Sequence, residues 1–206
     1  MRLKRVVLER LMRYHRFLSQ ITASKPIQTI TSAQIAEALD IDPTQVRKDF
    51  GAIGLVGIGR VGYQVEDVCC AVRMVMGFDH DNPAVLVGVG QLGGALLTYP
   101  GFKKYGLTID AVFDADPAKV GRRKAGHTIR SIRSLKPYIR KHGIRLAILC
   151  TPVGVSQVIA DRLVSVGIKA IWNFTPTDLV VPADVLVREE HISLGLSEIA
   201  YHLKKQ

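Results

Sequence analysis

Three glycines carry the clearest chemistry in this chain. Gly88, Gly90 and Gly93 stand at GxGxxG spacing in AVLVGVGQLGG, directly after an apolar run that reads as a β-strand. A glycine in the first place allows a tight turn off the strand. The second lets the backbone approach a pyrophosphate, and the third lets the following helix pack on the sheet. Gln91 and Leu92 would open that helix, whose free N–H groups attract an anion. Asp114 closes the next apolar run, 26 residues after Gly88. A carboxylate there accepts hydrogen bonds from the hydroxyls of an adenosine ribose and repels a 2′-phosphate, so the pattern favours NADH and NAD⁺ over their 2′-phosphorylated forms. Arg122 and Arg123 leave the opposite choice open, since they could hold such a phosphate. Two later loops follow strands, TPVG with Thr151, Pro152 and Val153, and NFTP with Asn173 and Phe174. The carboxyl ends of strands form the ligand crevice of such a sheet, so these residues would lie beside a nicotinamide. A bare pair of proline turns is the alternative.

A second group of side chains has the chemistry of nucleic-acid contact. DPTQVRKDF offers Pro43 near a first helical position, then Thr44, Gln45, Arg47 and Lys48 near the leading end of a short helix. Such groups reach base edges and phosphates in a major groove. TSAQIAEAL, just before, reads as a helix capped by Thr31 or Ser32 with Ile35, Ala36 and Leu39 inward. The two together make a helix-turn-helix pattern. An ordinary three-helix packing unit is the bland alternative. GAIGLVGIGRVGY then carries Gly57, Gly59 and Gly62, which also match GxGxxG. No strand leads into them, so they read as a glycine-rich hairpin, the wing of a winged helix, with Arg60 its one charge.

These groups need elements to hold them. Val7, Leu11, Tyr14, Leu18 and Ile21 step by 4, 3, 4 and 3, one face of an amphipathic first helix with Arg10, Arg13 and Arg16 beside it. QVEDVCCAVRMVM reads as a linking helix with Val65, Val68, Val72 and Val75 inward. After GFDHDNP the pattern changes. AVLVGV, LTIDAVFD, LAILCT and KAIWNFT are apolar strands alternating with helical stretches, which predicts a doubly wound α/β domain. The predicted division is therefore a winged helix-turn-helix domain over 1–78, a Rossmann-like parallel-sheet domain over 82–190, and a closing helix over 191–206. In that helix Ile192, Leu196, Ile199 and Leu203 form an apolar stripe. Little chain is left to cover it, so a second subunit is the natural partner, making a homodimer.

Composition narrows the possibilities. The apolar fraction is 48% and the formal charge is +10, that of a protein with a core and a field that suits nucleic acid. Between Lys119 and Arg145 there are ten Lys or Arg and no acid; phosphate binding and a solvated face both fit. No apolar run is long enough to span a membrane, and the basic N-terminus lacks a signal-peptide core, so the expected location is the cytoplasm. Cys69, Cys70 and Cys150 lack CxxC spacing and the six histidines are scattered, so no metal site is expected. Cys150 reads as a buried strand residue. An NAD-dependent oxidoreductase would need an acid or base beside the nicotinamide, and His191 is the obvious candidate. A module for another nucleotide such as coenzyme A, and a DNA-binding protein indifferent to nucleotides, are the other readings.

RLMRYHRFL, DPTQVRKDF, RVGYQVED, VLVGVGQLGGALLTYPGF, FDADPAKVG, NFTP and the closing apolar helix occur in that order. Nearly end to end the chain thereby resembles the bacterial Rex redox-sensing transcriptional repressors. The resemblance implies no enzyme but a homodimeric repressor that binds operator DNA and is released by NADH, with its C-terminal helix exchanged between subunits. It implies that Tyr99 lies near the nicotinamide and belongs to a switch, and that Arg16 links the head to the body. Family members commonly carry an aspartate before the last helix; this chain has His191 there, preceded by Glu189 and Glu190, which introduces a group that titrates near neutrality. The family's basic pair in the wing is replaced by Ile58 and Gly59.

Overall fold

The computed structural model describes residues 3–24 and 26–204, the side chain of Ile192 excepted. The chain forms two compact units; the first ends at His80 and the second begins at Asp81.

In the first unit, α1 (Arg5–Ser24) buries Leu11, Tyr14 and Leu18 completely, with Val7 and Ile21 at the margin of the same core. Each such burial contributes about 1.5–3 kcal/mol. A short strand β1 (Thr29–Ile30) leads into α2 (Ser32–Leu39). Thr31 caps α2 through a reciprocal capping box with Gln34, which satisfies two otherwise free N–H donors. Then α3 (Pro43–Ala52) starts on Asp42, whose carboxylate accepts from the backbone N–H of Thr44 and Gln45, and Pro43 loses nothing there because a first-turn N–H has no helical partner. Strand β2 (Tyr63–Gln64) pairs antiparallel with β1. Between α3 and β2 the chain makes a narrow hairpin with a bridge from Ile58 to Gly62. Gly62 has φ of +97°, and a Cβ there would meet the Ile30 carbonyl oxygen at 2.3 Å, so the hairpin lies tight against β1 only because the residue is glycine. The unit closes with α4 (Val65–Met76), which buries Val65, Val68 and Val72. Val75, predicted inward, is exposed; Met76 packs on the core instead. From Val72 the inward direction lies between the third and fourth residues on, and the longer methionine fills it.

The second unit is a mixed sheet covered on both faces. Its strands are β3 (Asn82–Val87), β4 (Leu107–Asp114), β5 (Arg123–Lys124), β6 (His127–Ser131), β7 (Leu146–Leu149), β8 (Ala170–Asn173) and β9 (Leu186–Glu189). Its helices are α5 (Gln91–Leu97), α6 (Leu135–His142), α7 (Val153–Val164) and α8 (Ile192–Leu203), with single 3₁₀ turns at Phe102–Tyr105 and Ile132–Ser134. The strand order among the described residues is β5-β6-β4-β3-β7-β8-β9, parallel except for the β5–β6 hairpin. Order therefore reverses between β3 and β7, the topological switch point of a doubly wound sheet. Val85, Val87, Ala111 and Phe113 pack on one side with Leu135, Ile139, Ile159 and Leu163. Ala84, Leu86, Val112 and Ile148 pack on the other with Phe102. Both faces of β3 are thus buried, which is why its sequence is continuously apolar. Strands β6 and β9 have mixed, half-polar sequences and take their form from pairing with β4 and β8.

In α8 the described side chains are exposed, among them Leu194, Leu196, Ile199, Tyr201 and Leu203. Among the described residues no helix is long and apolar enough to cross a membrane.

Candidate functional site

The switch point opens into a crevice of about 730 Å³. Gly88, Gly90, Gln91, Leu92 and Gly93 form its floor, Asp114 one end, and Thr151, Pro152 and Phe174 the other wall. Gly88 has φ of +98°, and a Cβ on it would lie 2.4 Å from the Cys150 carbonyl oxygen. At Gly93 a Cβ would lie 2.0 Å from the Gly88 carbonyl oxygen. These two glycines let β3, α5 and the end of β7 converge. Gly90 is different: a Cβ there would meet nothing within 4 Å. It faces the crevice and caps α5 without a side-chain bond, so the first-turn N–H groups of Gln91 and Leu92 point toward whatever occupies the space. A cradle that only the second glycine leaves open fits a pyrophosphate.

Asp114 is buried and more heavily engaged than a bare ribose acceptor. It accepts from Val89 N at 2.8 Å, from Asp116 N at 2.9 Å and from Lys119 Nζ at 3.2 Å. Burial pushes its carboxyl up, but those bonds and the Lys119 charge outweigh it and hold the group below the usual carboxylate range. It is therefore ionised at neutral pH and pins the glycine turn to the end of β4. Asp116 and Lys119, three apart in the loop after β4, complete this polar end of the crevice.

The wall from α7 is Val155, Val158, Ile159 and Arg162, which sequence reading passed over. The signal was available: the four fall at i, i+3, i+4 and i+7 of the helix that begins at the TPVG loop, hence on one face. Cys150 also lines the crevice, and burial pushes its thiol up to about 12. At neutral pH it is a packed thiol and not a nucleophile.

Asn173, Val153 and Tyr99 do not line this crevice. Asn173 is fully buried and spends its amide on the loop itself, donating to Thr177 O and Glu189 Oε2 and accepting from Thr175 N and Oγ1. It clasps the NFTP loop to β9. Val153 is exposed at the start of α7. Tyr99 is exposed in the turn after α5, with its ring edge-on to Phe102 at 4.9 Å. Phe102 in turn meets Trp172 at 5.7 Å and Trp172 meets Phe174 at 4.9 Å, so an aromatic row leads from the crevice wall to Tyr99. Trp172 Nε1 also donates to Glu190 at 3.2 Å, next to His191. His191 precedes α8 with Nε2 3.6 Å from Asp178 Oδ1.

In the head, Arg47 and Arg60 line one cavity of about 420 Å³ with Thr31, Ser32 and the hairpin glycines. Arg47 is held there by Ser32 Oγ and Thr44 Oγ1, each at 3.1 Å. Arg60 stands at the hairpin tip with φ of +64°. Lys48 and Thr44 are exposed on α3. Gln45 is half-buried, and its amide donates to Asp49 at 2.9 Å. Asp49 is the hub of the unit. Arg10 grips it with two bonds of 2.6 and 2.7 Å, and Tyr14 donates to it at 2.9 Å. Burial raises the Asp49 carboxyl, but its bonds to Arg10, Tyr14 and Gln45 hold it low. The network locks α3 to α1 and fixes the angle at which α3 presents Thr44 and Lys48. Arg13 donates to Leu39 O at 2.6 Å, while Arg16 is exposed one turn further along α1.

Residues 79–177 match a family model described as CoA binding domain, and residues 5–51 match one described as "Putative DNA-binding protein N-terminus". Fold and site together define a winged helix-turn-helix head joined to a Rossmann-like nucleotide unit, the class of DNA-binding regulators that answer to a small molecule. Redox-sensing transcriptional repressor Rex of Clostridium botulinum (strain Alaska E43 / Type E3) is 34% identical over 200 residues, covering 97% of this chain and 95% of that protein. The Rex protein of Clostridioides difficile (strain 630) is 35% identical over 199 residues, with 97% and 94% covered. This chain belongs to the Rex family of redox-sensing transcriptional repressors, regulators and not enzymes. Crystal structures of RSP, a Rex-family repressor, match throughout: in complex with β-NAD⁺ and operator DNA, 33% identity and TM-score 0.94 over 100% of this chain and 94% of that one. In complex with β-NADH the values are 32% and 0.89, over 100% and 96%.

Proposed function

We propose that this chain represses transcription as a cytoplasmic homodimer that binds operator DNA through α3 and the hairpin, and leaves it when NADH fills the crevice. The observation that carries this reading is the crevice itself, an open glycine cradle with an ionised Asp114 at one end, in a chain whose other unit presents a capped recognition helix. The turn from Gly88 to Gly93 would hold the pyrophosphate, Asp114 the adenosine ribose, and Thr151, Pro152 and Phe174 would flank the nicotinamide. Thr44, Arg47, Lys48 and Arg60 would contact the duplex, with Gln45 acting through Asp49.

Discrimination between the two redox forms follows from the wall. Val155, Val158, Ile159 and Phe174 are apolar, and burying a cationic ring against them without a counter-charge is costly, whereas the neutral dihydro ring is tolerated. NADH must bind the released arrangement better than the DNA-bound one, or it shifts nothing. Tyr99, Arg16 and His191 would form the switch. The exposed apolar α8 would pack on the second subunit in an exchanged arrangement.

The match to a CoA binding domain favours one second reading, coenzyme A in the same crevice. Titration of NADH, NAD⁺, NADPH and coenzyme A against the protein separates the two. NADH is expected to bind tightest and to release the protein from a palindromic duplex in a gel shift. Tightest binding of coenzyme A, or equal retention on DNA with saturating NADH, overturns the proposal.

A further inference from the structure

The basic stretch from Lys119 to Arg145 has no place in the crevice chemistry beyond Lys119, which is paired with Asp114 and Asp116. The rest is a one-signed surface at the β5–β6 edge and along α6. Arg133, Lys136 and Arg140 step by 3 and 4 and are all exposed, on one side of the 3₁₀ turn and α6. Among the described residues none of the three has a carboxylate within ion-pair distance.

Local stability accounts for only one of the three. Cations in the last turn of a helix suit its dipole, which explains Arg140 and Lys141. Arg133 and Lys136 stand at the opposite end, where the same dipole disfavours them. Lys136 and Arg140 are also like charges four apart, an arrangement that weakens a helix. Charges on an edge strand deter aggregation, but that covers only the β5–β6 hairpin.

We propose that this face is a second contact for duplex DNA, reading no sequence and separate from α3. The occupant must be a polyanion, and the aromatic chemistry selects the duplex. Single strands are held by stacking bases on free aromatic faces. Tyr138 is the one tyrosine, phenylalanine or tryptophan of this stretch, and it is half-buried. Arg130 lies over its ring at 4.8 Å, His142 stacks on it at 4.1 Å, and its hydroxyl donates to Asp110 at 2.8 Å. What the surface offers is charge spaced by a helical turn, which suits a phosphate backbone and supplies the sequence-independent share of binding.

The test is equilibrium binding of the full chain to a duplex without operator sequence, across a range of salt. The comparison is between the parent protein, the Arg133→Glu, Lys136→Glu, Arg140→Glu triple variant, and the corresponding triple glutamine variant. The expected result is a loss of roughly tenfold or more at ~0.1 M salt for the glutamate variant. For both variants the log–log salt slope should flatten by about 2.7, from about 0.9 per lost phosphate contact. NADH titration serves as the check that the unit is folded; if the glutamate variant fails it, the glutamine variant carries the measurement. Unchanged affinity and slope overturn the proposal, as does parent binding to a single strand of the same length that matches the duplex. Lys48→Ala, made alongside, should lose operator preference while retaining the salt-dependent background, so failure of this face and failure of the head remain distinguishable.

Discussion

The glycines of the cradle play unlike parts, and substitution separates them. Gly93→Ala forces a Cβ to within 2.0 Å of the Gly88 carbonyl oxygen, a backbone atom that cannot swing aside. We expect a lower thermal midpoint, from about 1–3 kcal/mol of overpacking, together with at least a roughly tenfold loss of NADH affinity. Gly90→Ala meets no protein atom and has an ordinary φ of −77°. It should melt like the parent and still lose NADH affinity, because its methyl enters the ligand's space. A Gly90→Ala protein that binds NADH normally would show that the nucleotide does not approach this backbone. Asp49 supports a second experiment. Its carboxyl is held low in the folded head, so its contribution is present above the unfolded carboxylate value and is lost as pH falls through the folded one. Stability of the head should decline in acid, and Asp49→Asn should flatten that decline. Asp49→Ala, which leaves Arg10 without its partner, should cost about 3 kcal/mol by denaturant unfolding.

Among the elements, α3 is the one on which DNA reading would depend in the proposed function, and both of its ends are held. Asp42 satisfies two first-turn N–H donors, and Asp49 ties the helix to α1. Asp42→Ala should fray the first turn, where Thr44 and Gln45 stand, and weaken operator binding while NADH binding by the second unit stays as in the parent. Gel shifts and NADH titrations on one preparation check this; equal losses in both would mean that the cap serves more than the reading helix. In the second unit, α7 is the counterpart: its one face of Val155, Val158, Ile159 and Arg162 gives the crevice an apolar wall with a charge at its far end.

The whole molecule is where the exposed α8 and the coupling of two ligands belong. A helix with Leu194, Leu196, Ile199, Tyr201 and Leu203 all in solvent is not stable on its own terms, because nothing repays the ordering of its backbone. Leu196→Glu with Ile199→Glu should convert a dimer to monomer by sedimentation and sharply reduce operator affinity, since a palindrome needs two linked heads. If the variant remains dimeric, α8 is not the subunit contact. Linkage requires a second result: operator DNA must weaken NADH by the factor by which NADH weakens DNA.

Much of this was legible in the one-dimensional pattern. The α1 stripe, the capped pair α2 and α3, the apolar strands β3, β4, β7 and β8, and the glycine cradle all rest on near neighbours in the chain, whose periodicity and backbone needs show directly in residue type. Strands β6 and β9 were not legible, because HTIRS and LVRE become strands only by pairing with partners already in the sheet. Nor was the Arg10–Tyr14–Asp49 hub, which joins residues 35 and 39 apart, or the inward use of Asn173, whose amide reads equally well as a ligand contact. The sequence by itself determined the elements that carry a local period, and that a tight glycine turn follows β3. The tertiary structure alone decided which side chains face the cradle and which hold it in shape, because convergence on a crevice depends on contacts between segments far apart in the chain, and no local period records them.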